Sequence, residues 1–268
     1  MNMEPFELFA IRYASKPMMT FAQTSIGGDL HEDHTPIDYF IWVAKRSDRV
    51  FLIDTGMGAE TAKRRGESYH RVPAEAIRLL DLDPGKLEDI ILTHIHYDHA
   101  GMLHLYPKAN FHVQDAEMSY ATGRCMCSPI LRRGYEVEDV LHLVRCVYCD
   151  RVEFHSETSE ITSGITLHRV SGHTAGQQAV RVWTKRGWVV IASDASHLYY
   201  NMETRAPFPS VYRTDEMMES FRTLFKLGEG SWDRVIPGHD PLVMARYPAP
   251  SPELEGIVVR LDVEPRQV

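Results

Sequence analysis

The chain has 268 residues, of which 44% are hydrophobic and 25% are charged, and its formal net charge at pH 7 is -8. This composition is typical of a globular protein that buries a large core without disulfide bonds. The negative net charge and the lack of a long basic run argue against nucleic-acid partners, whose phosphates are neutralised by Lys and Arg. No apolar stretch is long enough to span a membrane and no signal peptide is recognisable, so we expect a cytoplasmic protein without a membrane partner.

Apolar runs and alternation in the first half of the chain predict strands separated by short helices. The predicted strands, the second and third of which form a hairpin, are residues 7–13, 39–44, 50–54, 90–93 and 111–113. Helical spacing or a helix N-cap predicts helices at residues 73–82, 101–106 and 115–120. Residues 17–34 mix Pro, Gly, Ser and Asp without periodicity, which predicts a loop.

The second half begins with residues 124–151, which lack the strand–turn rhythm and are predicted to form a helical insertion. A longer helix is predicted at residues 215–227, and strands are predicted at residues 165–170, 178–183, 188–193, 232–236 and, as an edge strand, 255–261. Strands that alternate with helices in both halves indicate an α/β fold with sheets covered by helices. No linker divides the chain, so we interpret residues 1–268 as one domain.

The strongest chemical signal is the stretch Thr-His-Ile-His-Tyr-Asp-His-Ala-Gly at residues 93–101, which follows an apolar run at residues 90–92. A strand end that turns into a helix can direct its three imidazoles and one carboxylate into one cleft. Imidazole nitrogen and carboxylate oxygen are ligands of Zn2+ and similar ions. Further candidates follow predicted strands, and the full set is His94, His96, Asp98, His99, His173, Asp194 and His239. Seven ligands are about the number that two zinc sites with open positions require.

The pattern His-x-His-x-Asp-His, followed by Gly-His-Thr, Ser-Asp-Ala and Gly-His-Asp, resembles the metallo-β-lactamase fold superfamily. The resemblance covers residues 38–239 and is strongest to the N-acyl-homoserine-lactone lactonase branch. It implies an αβ/βα four-layer sandwich with two metals at the sheet edge, and an insertion that covers the active-site mouth and shapes an acyl pocket. It also implies that one metal is held by His94, His96 and His173, and the other by Asp98, His99 and His239, with Asp194 bridging the two.

Two zinc ions can share a hydroxide that attacks a polarised carbonyl, which fits hydrolysis of lactones, esters, thioesters, amides or phosphodiesters. By resemblance we expect a di-zinc hydrolase that opens a small lactone, such as an N-acyl-homoserine lactone, with a homodimer as the implied assembly. The alternatives are a glyoxalase-II-like thioesterase or another small ester or amide hydrolase of the same fold, and an iron-dependent persulfide dioxygenase. The tail at residues 246–268 has few basic residues, which disfavours the thioesterase because such enzymes hold glutathione with a basic C-terminal region.

Candidates for catalytic roles beyond metal binding lie beside the ligands. Asp98 is both a ligand and a candidate proton donor to the leaving alkoxide. His197 lies where the resemblance implies a tyrosine that donates a hydrogen bond to the substrate carbonyl or the developing oxyanion. An imidazole N–H can serve the same purpose, and Tyr199 or Tyr200 is the alternative donor from a shifted position.

Loops outside the motif are expected to form the substrate pocket. The candidate loops are residues 17–21, 126–131 and 199–208, whose Met, Phe, Tyr and Ile side chains suit an apolar acyl group. Asp233 and Asp240 are candidates to accept the free N–H of ligating histidines.

The cysteines and the remaining histidines are given no catalytic role. Cys125, Cys127, Cys146 and Cys149 fit a structural zinc site poorly because the first pair is one residue tighter than usual, so we interpret them as reduced thiols. The histidines without a ligand pattern are interpreted as surface or satisfied core groups, and they are His31, His34, His70, His104, His112, His142, His155 and His168.

Overall fold

The computed structural model describes residues 3–29, 31 and 35–267, and the structural statements below concern these residues. The strands are β1 (Glu7–Lys16), β2 (Ile37–Lys45), β3 (Val50–Ile53), β4 (Ser68–Tyr69), β5 (Asp89–Ile91), β6 (Asn110–Gln114), β7 (Val152–His155), β8 (Thr158–Thr162), β9 (Ile165–Arg169), β10 (Gln178–Thr184), β11 (Gly187–Ser193), β12 (Val235–Pro237) and β13 (Val258–Arg260).

The helices connect and cover these strands. The α-helices are α1 (Phe21–Thr24), α2 (Ala59–Arg65), α3 (Pro73–Ala76), α4 (Tyr97–Ala100), α5 (Asp115–Ala121), α6 (Val137–Val147), α7 (Tyr199–Thr204), α8 (Thr214–Leu227) and α9 (Leu242–Arg246). Short 3-10 helices occur at Ile77–Leu80, Pro84–Lys86, Leu103–Leu105, Arg124–Cys127, Leu131–Gly134, Trp232–Arg234 and Pro252–Leu254.

The strands form two sheets. The first has the order β13-β1-β2-β3-β5-β6-β7 with β4 paired to β1, and the second has the order β12-β11-β10-β9-β8. In the first sheet β3, β5, β6 and β7 run parallel to one another. Parallel strands bring their carboxyl ends to the same edge of a sheet, so the segments after β3 and β5 meet there. The ligand motif that follows β5 is therefore placed at a sheet edge.

Both faces of the first sheet are apolar because both are covered. Along β1, Leu8 and Ala10 pack between the sheets against residues of β10, whereas Phe9 and Ile11 pack on the outer face with residues of α2, α3 and α6. Helix α8 packs on the second sheet through its buried face. Burying a side chain as large as Leu8 or Phe9 stabilises the fold by about 1.5–3 kcal/mol. The resulting order of helix, sheet, sheet and helix confirms the predicted four-layer α/β fold.

Several predicted elements are confirmed and others are shorter than expected. The hairpin is confirmed, with β2 and β3 antiparallel and Trp42 opposite Ile53. The helix predicted at residues 73–82 is instead α3 followed by a 3-10 turn, which ends where Asp81 adopts a left-handed φ of 60°. The helix predicted at residues 101–106 is a 3-10 turn. The predicted loop at residues 17–34 contains α1, and its last residue, His34, lies outside the described residues.

The sequence patterns did not predict several short strands and helices, mainly because these elements bury little apolar surface. The strands β7 and β8 end their sheets and carry mainly exposed or half-buried residues, so they show no apolar alternation. Helix α2 buries only Ala62. The short helices α7 and α9 were also missed.

The insertion at residues 124–151 is helical as predicted. It contains two 3-10 turns and α6, which buries Val140, Leu143 and Cys146 on one face. All four cysteines are free thiols, and the metal-sized clusters found among the described residues include none of them. Within the same described part of the chain, no helix is both long and apolar enough to cross a membrane.

Candidate metal centre

The ligand motif occupies the connection between β5 and α4. His96 is the N-cap residue of α4, so Asp98 and His99 lie in the first turn of that helix. His94 precedes the helix in the same short segment. All four side chains are buried, which is costly for such polar groups unless each has a partner.

His94, His96 and His173 form a first cluster of ligand atoms. The Nε2 atom of His173 lies 3.2 Å from Nε2 of His94 and 2.9 Å from Nδ1 of His96. Nitrogen ligands bound tetrahedrally to one zinc ion at about 2.0–2.1 Å are separated from one another by about 3.4 Å. The spacing of the three nitrogens therefore fits one shared ion.

Asp98, His99, Asp194 and His239 form a second cluster. The Nε2 atom of His99 lies 3.5 Å from Oδ2 of Asp98 and 3.2 Å from Oδ1 of Asp194. The Nε2 atom of His239 lies 3.0 Å from the same Oδ1 atom. The other oxygen of Asp194, Oδ2, lies 3.4 Å from Nε2 of His173 in the first cluster. The same Oδ2 atom lies 3.2 Å from Nε2 of His239 in the second cluster. Asp194 thus lies between the two clusters, with its carboxylate close to ligand atoms of both.

Two buried atoms in the second cluster test whether these residues fit a metal ion. The Nε2 atom of His99 and the Oδ1 atom of Asp194 lie 3.2 Å apart but are not aligned for a hydrogen bond, and neither has another hydrogen-bond partner although both are shielded from solvent. Such unsatisfied buried atoms are rare, and a bound cation is one of the few groups that satisfies both. Because the donors are imidazole nitrogens and carboxylate oxygens, the two clusters fit divalent metal ions of the transition series.

Burial keeps the histidines of the first cluster neutral. Burial lowers the pKa of His94 and His96 well below the usual value, and it lowers the pKa of His173 to about 4. A neutral imidazole has a free lone pair, which is the form that binds metal ions.

In the second cluster, neighbouring charges outweigh burial in setting the pKa values. Burial alone would lower the pKa of His99, but the carboxylates of Asp194, Asp98 and Asp54 outweigh this effect and raise it well above the usual value. Burial alone would raise the pKa of Asp98, but the neighbouring histidines, chiefly His99, lower it to about 2. The carboxylates are therefore ionised, and His99 must release a proton when it binds a metal ion.

Hydrogen bonds to the outer ring nitrogens orient the ligating histidines. The Nδ1 atom of His99 lies 2.7 Å from Oδ2 of Asp54. The Nδ1–H groups of His173 and His239 donate to the backbone carbonyls of Ser210 and Asp38, at 2.6 Å and 2.8 Å. These bonds fix the tautomer in which Nε2 faces the clusters.

The prediction that Asp233 or Asp240 accepts from a ligating histidine is wrong. Asp240 accepts from the backbone N–H groups of Tyr199 and Leu242, each through one oxygen. Asp233 pairs with Arg246. The role belongs to Asp54, which follows β3 and reaches the motif because β3 and β5 are parallel neighbours. The sequence signal that could have identified Asp54 is the Asp-Thr-Gly turn at residues 54–56, at the end of the strand predicted at residues 50–54.

The fully buried carboxylate of Glu117, on α5, joins the two ligand-bearing loops and was not predicted. Its Oε1 accepts from the backbone N–H of Ile95, at 3.0 Å, and from the Tyr135 hydroxyl, at 2.9 Å. Its Oε2 accepts from the Thr174 hydroxyl, at 2.6 Å, and from the N–H of Gly176, at 3.0 Å. Glu117 therefore ties the segment between His94 and His96 to the loop that carries His173.

His197 lies beside the bridging carboxylate. Its Nε2 atom is 2.9 Å from Oδ2 of Asp194, and its ring stacks on Phe208 with centroids 3.6 Å apart. The same ring lines the cavity described below. Burial lowers the pKa of His197, so the ring is neutral and retains one N–H donor.

The tyrosines around the site are arranged differently from the sequence-based expectation. Tyr199 is buried beneath Arg246 and is absent from the described lining of the cavity, and Tyr200 packs on Phe21. Tyr39 and Tyr97, which the sequence did not single out, do line the cavity, with their hydroxyl oxygens 3.5 Å apart.

A cavity of about 450 Å³ is lined by residues of both clusters, including His96, Asp98 and Asp194. An adjoining cavity of about 80 Å³ is lined by apolar side chains such as Ile130 and Leu131 together with polar ones such as Arg133 and Ser210. Gly134 lies against the ring of His96, where a Cβ atom would come within 2.5 Å of the imidazole. The insertion therefore closes directly over the first cluster.

The predicted pocket loops contribute unequally. Met19 lines the larger cavity, and Ile130 and Leu131 line the smaller one. Residues 199–208 are absent from both described linings, although Phe208 packs behind His197. Charged side chains that were not predicted also line the larger cavity, and they are Lys16, Arg65, Glu67 and Arg133.

Comparison with known proteins finds metallo-hydrolases and lactonases among the relatives of this chain. A probable metallo-hydrolase of Mycobacterium tuberculosis is 25% identical over 207 residues, and the match covers 68% of this chain and 64% of the relative. The chain thus spans somewhat less than two thirds of that relative's length. An N-acyl homoserine lactonase of Bacillus sp. is 25% identical over 226 residues, which cover 76% of this chain and 82% of the relative.

Solved structures show the same fold. The crystal structure of a quorum-quenching N-acyl homoserine lactone lactonase superposes with a TM-score of 0.75 at 21% identity, covering 90% of this chain and 95% of the other. A hydrolase of the beta-lactamase superfamily superposes with a TM-score of 0.70 at 14% identity over 100% of both chains. The family model of the metallo-beta-lactamase superfamily matches residues 34–239. The chain belongs to the metallo-beta-lactamase superfamily.

Proposed function

We propose that this chain is a di-zinc hydrolase that opens lactone rings, with N-acyl-homoserine lactones or related small lactones and esters as its substrates. The observation that carries the proposal is the position of Asp194 between two ligand clusters on one cavity wall, with Oδ1 3.2 Å from Nε2 of His99 and Oδ2 3.4 Å from Nε2 of His173. The likeness to N-acyl homoserine lactonases in sequence supports the substrate class. The cytoplasmic location and the homodimer stay predictions.

In this proposal each cluster holds one ion. His94, His96 and His173 hold the first, Asp98, His99 and His239 hold the second, and Asp194 is shared. When bound, two zinc ions supply hydroxide at neutral pH and polarise a carbonyl group.

The side chains of the chain position the substrate and move its protons. His197 lines the cavity, and its Nε2–H donates to Oδ2 of Asp194 at 2.9 Å. When that oxygen binds an ion, the N–H would be free to donate to the carbonyl oxygen and to stabilise the negative charge that develops there. Asp98 lines the same cavity and is ionised before the reaction. It would take up the proton of the hydroxyl group that adds to the carbonyl and then pass this proton to the alkoxide that leaves as the ring opens. Tyr199 is assigned no direct contact with substrate, because its ring is buried beneath Arg246.

The adjoining smaller cavity supports an acyl substituent on the lactone through its apolar side chains. Tyr120, Ile130 and Leu131 line it, and it shares His96 and His173 with the larger cavity. An acyl chain that enters there keeps the lactone carbonyl beside the clusters and removes apolar surface from water. The volume of about 80 Å³ favours a short acyl chain.

A thioesterase acting on an anionic thioester is a second candidate, since basic side chains line the larger cavity. Lys16 pairs with Glu67 at 3.0 Å and Arg65 pairs with Glu136 at 2.7 Å, while Arg133 lies exposed on the insertion. Guanidinium groups bind carboxylates well, and a glutathione thioester carries two. Basic side chains in the cavity could therefore bind an anionic thioester even though the C-terminal tail has few basic residues.

Proton release measured on a substrate panel tests the proposal. The panel contains short and long N-acyl-homoserine lactones, unsubstituted lactones, aryl esters and S-lactoylglutathione, and the metal content of the same sample is measured. We expect two zinc ions per chain and the highest kcat/KM on short-chain acyl-homoserine lactones. Turnover restricted to S-lactoylglutathione would favour the thioesterase, and one iron per chain without hydrolysis would refute both.

A further inference from the structure

A second group of metal-ligating side chains lies at the end of the first sheet, on β6 and β7. His112 on β6 faces Glu153 on β7, and His155 follows two residues later on the same face of β7. One nitrogen or oxygen atom from each side chain lies within 4.8 Å of the other two. None of the three residues belongs to the catalytic clusters.

We propose that His112, Glu153 and His155 form a peripheral binding site for a divalent transition-metal ion such as Zn2+. The Nδ1 atom of His112 lies 3.0 Å from Nε2 of His155 and 3.7 Å from Oε2 of Glu153. These separations lie on either side of the value of about 3.4 Å that tetrahedral zinc with ligand distances of about 2.0–2.1 Å requires.

A carboxylate already orients His112 in the way that metal sites require. The Nε2 atom of His112 lies 3.2 Å from Oδ1 of Asp89, and the other oxygen of Asp89 accepts from Arg49 at 3.0 Å. Arg49 keeps Asp89 ionised, so Nε2 of His112 carries the proton and donates it to that carboxylate. The lone pair of His112 is thereby left on Nδ1, which faces His155 and Glu153.

The environment of His155 also suits a ligand. Its side chain is buried, and burial together with His112 lowers its pKa, so the ring is neutral at pH 7. Without an ion, Nε2–H of His155 donates to Nδ1 of His112. Binding requires only that the proton of His155 move to Nδ1, since the two imidazole tautomers are close in energy.

The cluster is open to solvent on one side. His112 is 3% exposed at its side chain, whereas Glu153 is 61% exposed. An ion can therefore enter past Glu153, and water completes its coordination. Bound there, the ion would link β6 to the edge strand β7.

Calorimetric titration of Zn2+ into the holoenzyme, with the catalytic centre already filled, tests this site. The wild-type protein is compared with His155→Gln, Glu153→Gln and the control Glu138→Gln, which removes an exposed acid from α6. We expect one additional zinc ion per chain in the wild type and the control, none in His155→Gln, and an affinity at least tenfold lower in Glu153→Gln. All four proteins should keep the same catalytic rate.

Two results would overturn the site. One is a wild-type protein that takes up no zinc beyond its catalytic complement, and the other is equal zinc affinity in the wild type and Glu153→Gln. The exposed position of Glu153 makes the second comparison independent of folding, should His155→Gln prove unstable. The result does not depend on which substrate the catalytic centre hydrolyses.

Discussion

Oδ2 of Asp54 lies 2.7 Å from Nδ1 of His99, and this contact joins the first sheet to the candidate metal centre. The same carboxylate accepts from the backbone N–H and the hydroxyl of Thr93, at 2.7 Å and 2.8 Å. Nδ1 of His94 lies 3.1 Å from that hydroxyl oxygen. Asp54 therefore orients one histidine of each cluster, His99 directly and His94 through Thr93.

Asp54→Asn should weaken metal binding without unfolding the protein. Asn tolerates the left-handed φ of 62° at this position, but its neutral amide cannot replace the charged acceptor for His99. Loss of such a partner typically lowers metal affinity by about 10–100-fold. Competition with a chelator measures the affinity, and Asp81→Asn is the matched control, because Asp81 has a φ of 60° on the surface. Equal affinities in the two variants would refute this role.

Glu117→Gln should lower both stability and metal affinity. The amide group has one oxygen for four donors, and each buried donor left without an acceptor costs about 1–3 kcal/mol. Because two of the donors belong to Ile95 and Thr174, the loops that carry His96 and His173 should separate. Denaturant unfolding and chelator competition measure the two effects.

The control for Glu117→Gln is Asp262→Asn, which alters another buried carboxylate, paired with Arg260 on β13. It should reduce stability and leave metal affinity unchanged. If both variants lost affinity in proportion to stability, Glu117 would have only a structural role.

His197→Ala should reduce kcat on the true substrate by about 100-fold, because a donor to the developing oxyanion is worth about this much. His197→Gln retains an N–H donor and should recover part of the rate. Tyr97→Phe tests the other donor that lines the cavity. A normal rate in His197→Ala with a low rate in Tyr97→Phe would transfer the role to Tyr97.

Asp139→Asn should stabilise the protein most at alkaline pH and clearly less at pH 5. Burial, with Glu136 and Glu138 nearby, raises the pKa of Asp139 to about 7. A folded-state pKa above that of the unfolded chain means that stability falls as pH rises from about 4 to 7, since the folded protein must give up a bound proton. Because asparagine does not ionise, the variant avoids this loss of stability at high pH.

Thermal unfolding at pH 5 and pH 8.5 measures the effect of Asp139→Asn, with the exposed Glu160→Gln as control. The melting temperature of Asp139→Asn should exceed that of the wild type by more at pH 8.5 than at pH 5. An equal shift at both pH values would show that the charge of Asp139 is not its cause.

The candidate metal ligands could be predicted because they lie in short sequence motifs. The residues that hold these ligands in place could not, because they are close to them in the fold but distant along the chain. His94 to His99 fall within one turn, and their ligand types identify the chemistry directly. Asp54 contacts His99, and Glu117 holds the loops that carry His96 and His173, but both come from distant parts of the chain that no local pattern connects to the motif. Tyr199 was selected by its distance along the chain from Asp194, but α7 turns its ring away from the cavity.

The edge strands illustrate the same limit. β7 has only four residues, and its histidine gains a partner only when β6 pairs beside it. His112 and His155 are 43 residues apart, so no spacing rule connects them. The alternation of long apolar strands, in contrast, is sufficient to predict β2, β3, β10 and β11.

Activity as a function of bound zinc tests the central claim most directly. Protein stripped of metal with a chelator is titrated with Zn2+, and the opening of a short-chain N-acyl-homoserine lactone is followed by proton release. The rate should rise to its maximum at two catalytic equivalents, and Asp194→Asn should stay inactive at every zinc concentration while remaining folded. A full rate without metal, a maximum at one equivalent, or an active Asp194→Asn variant would contradict the two-ion centre.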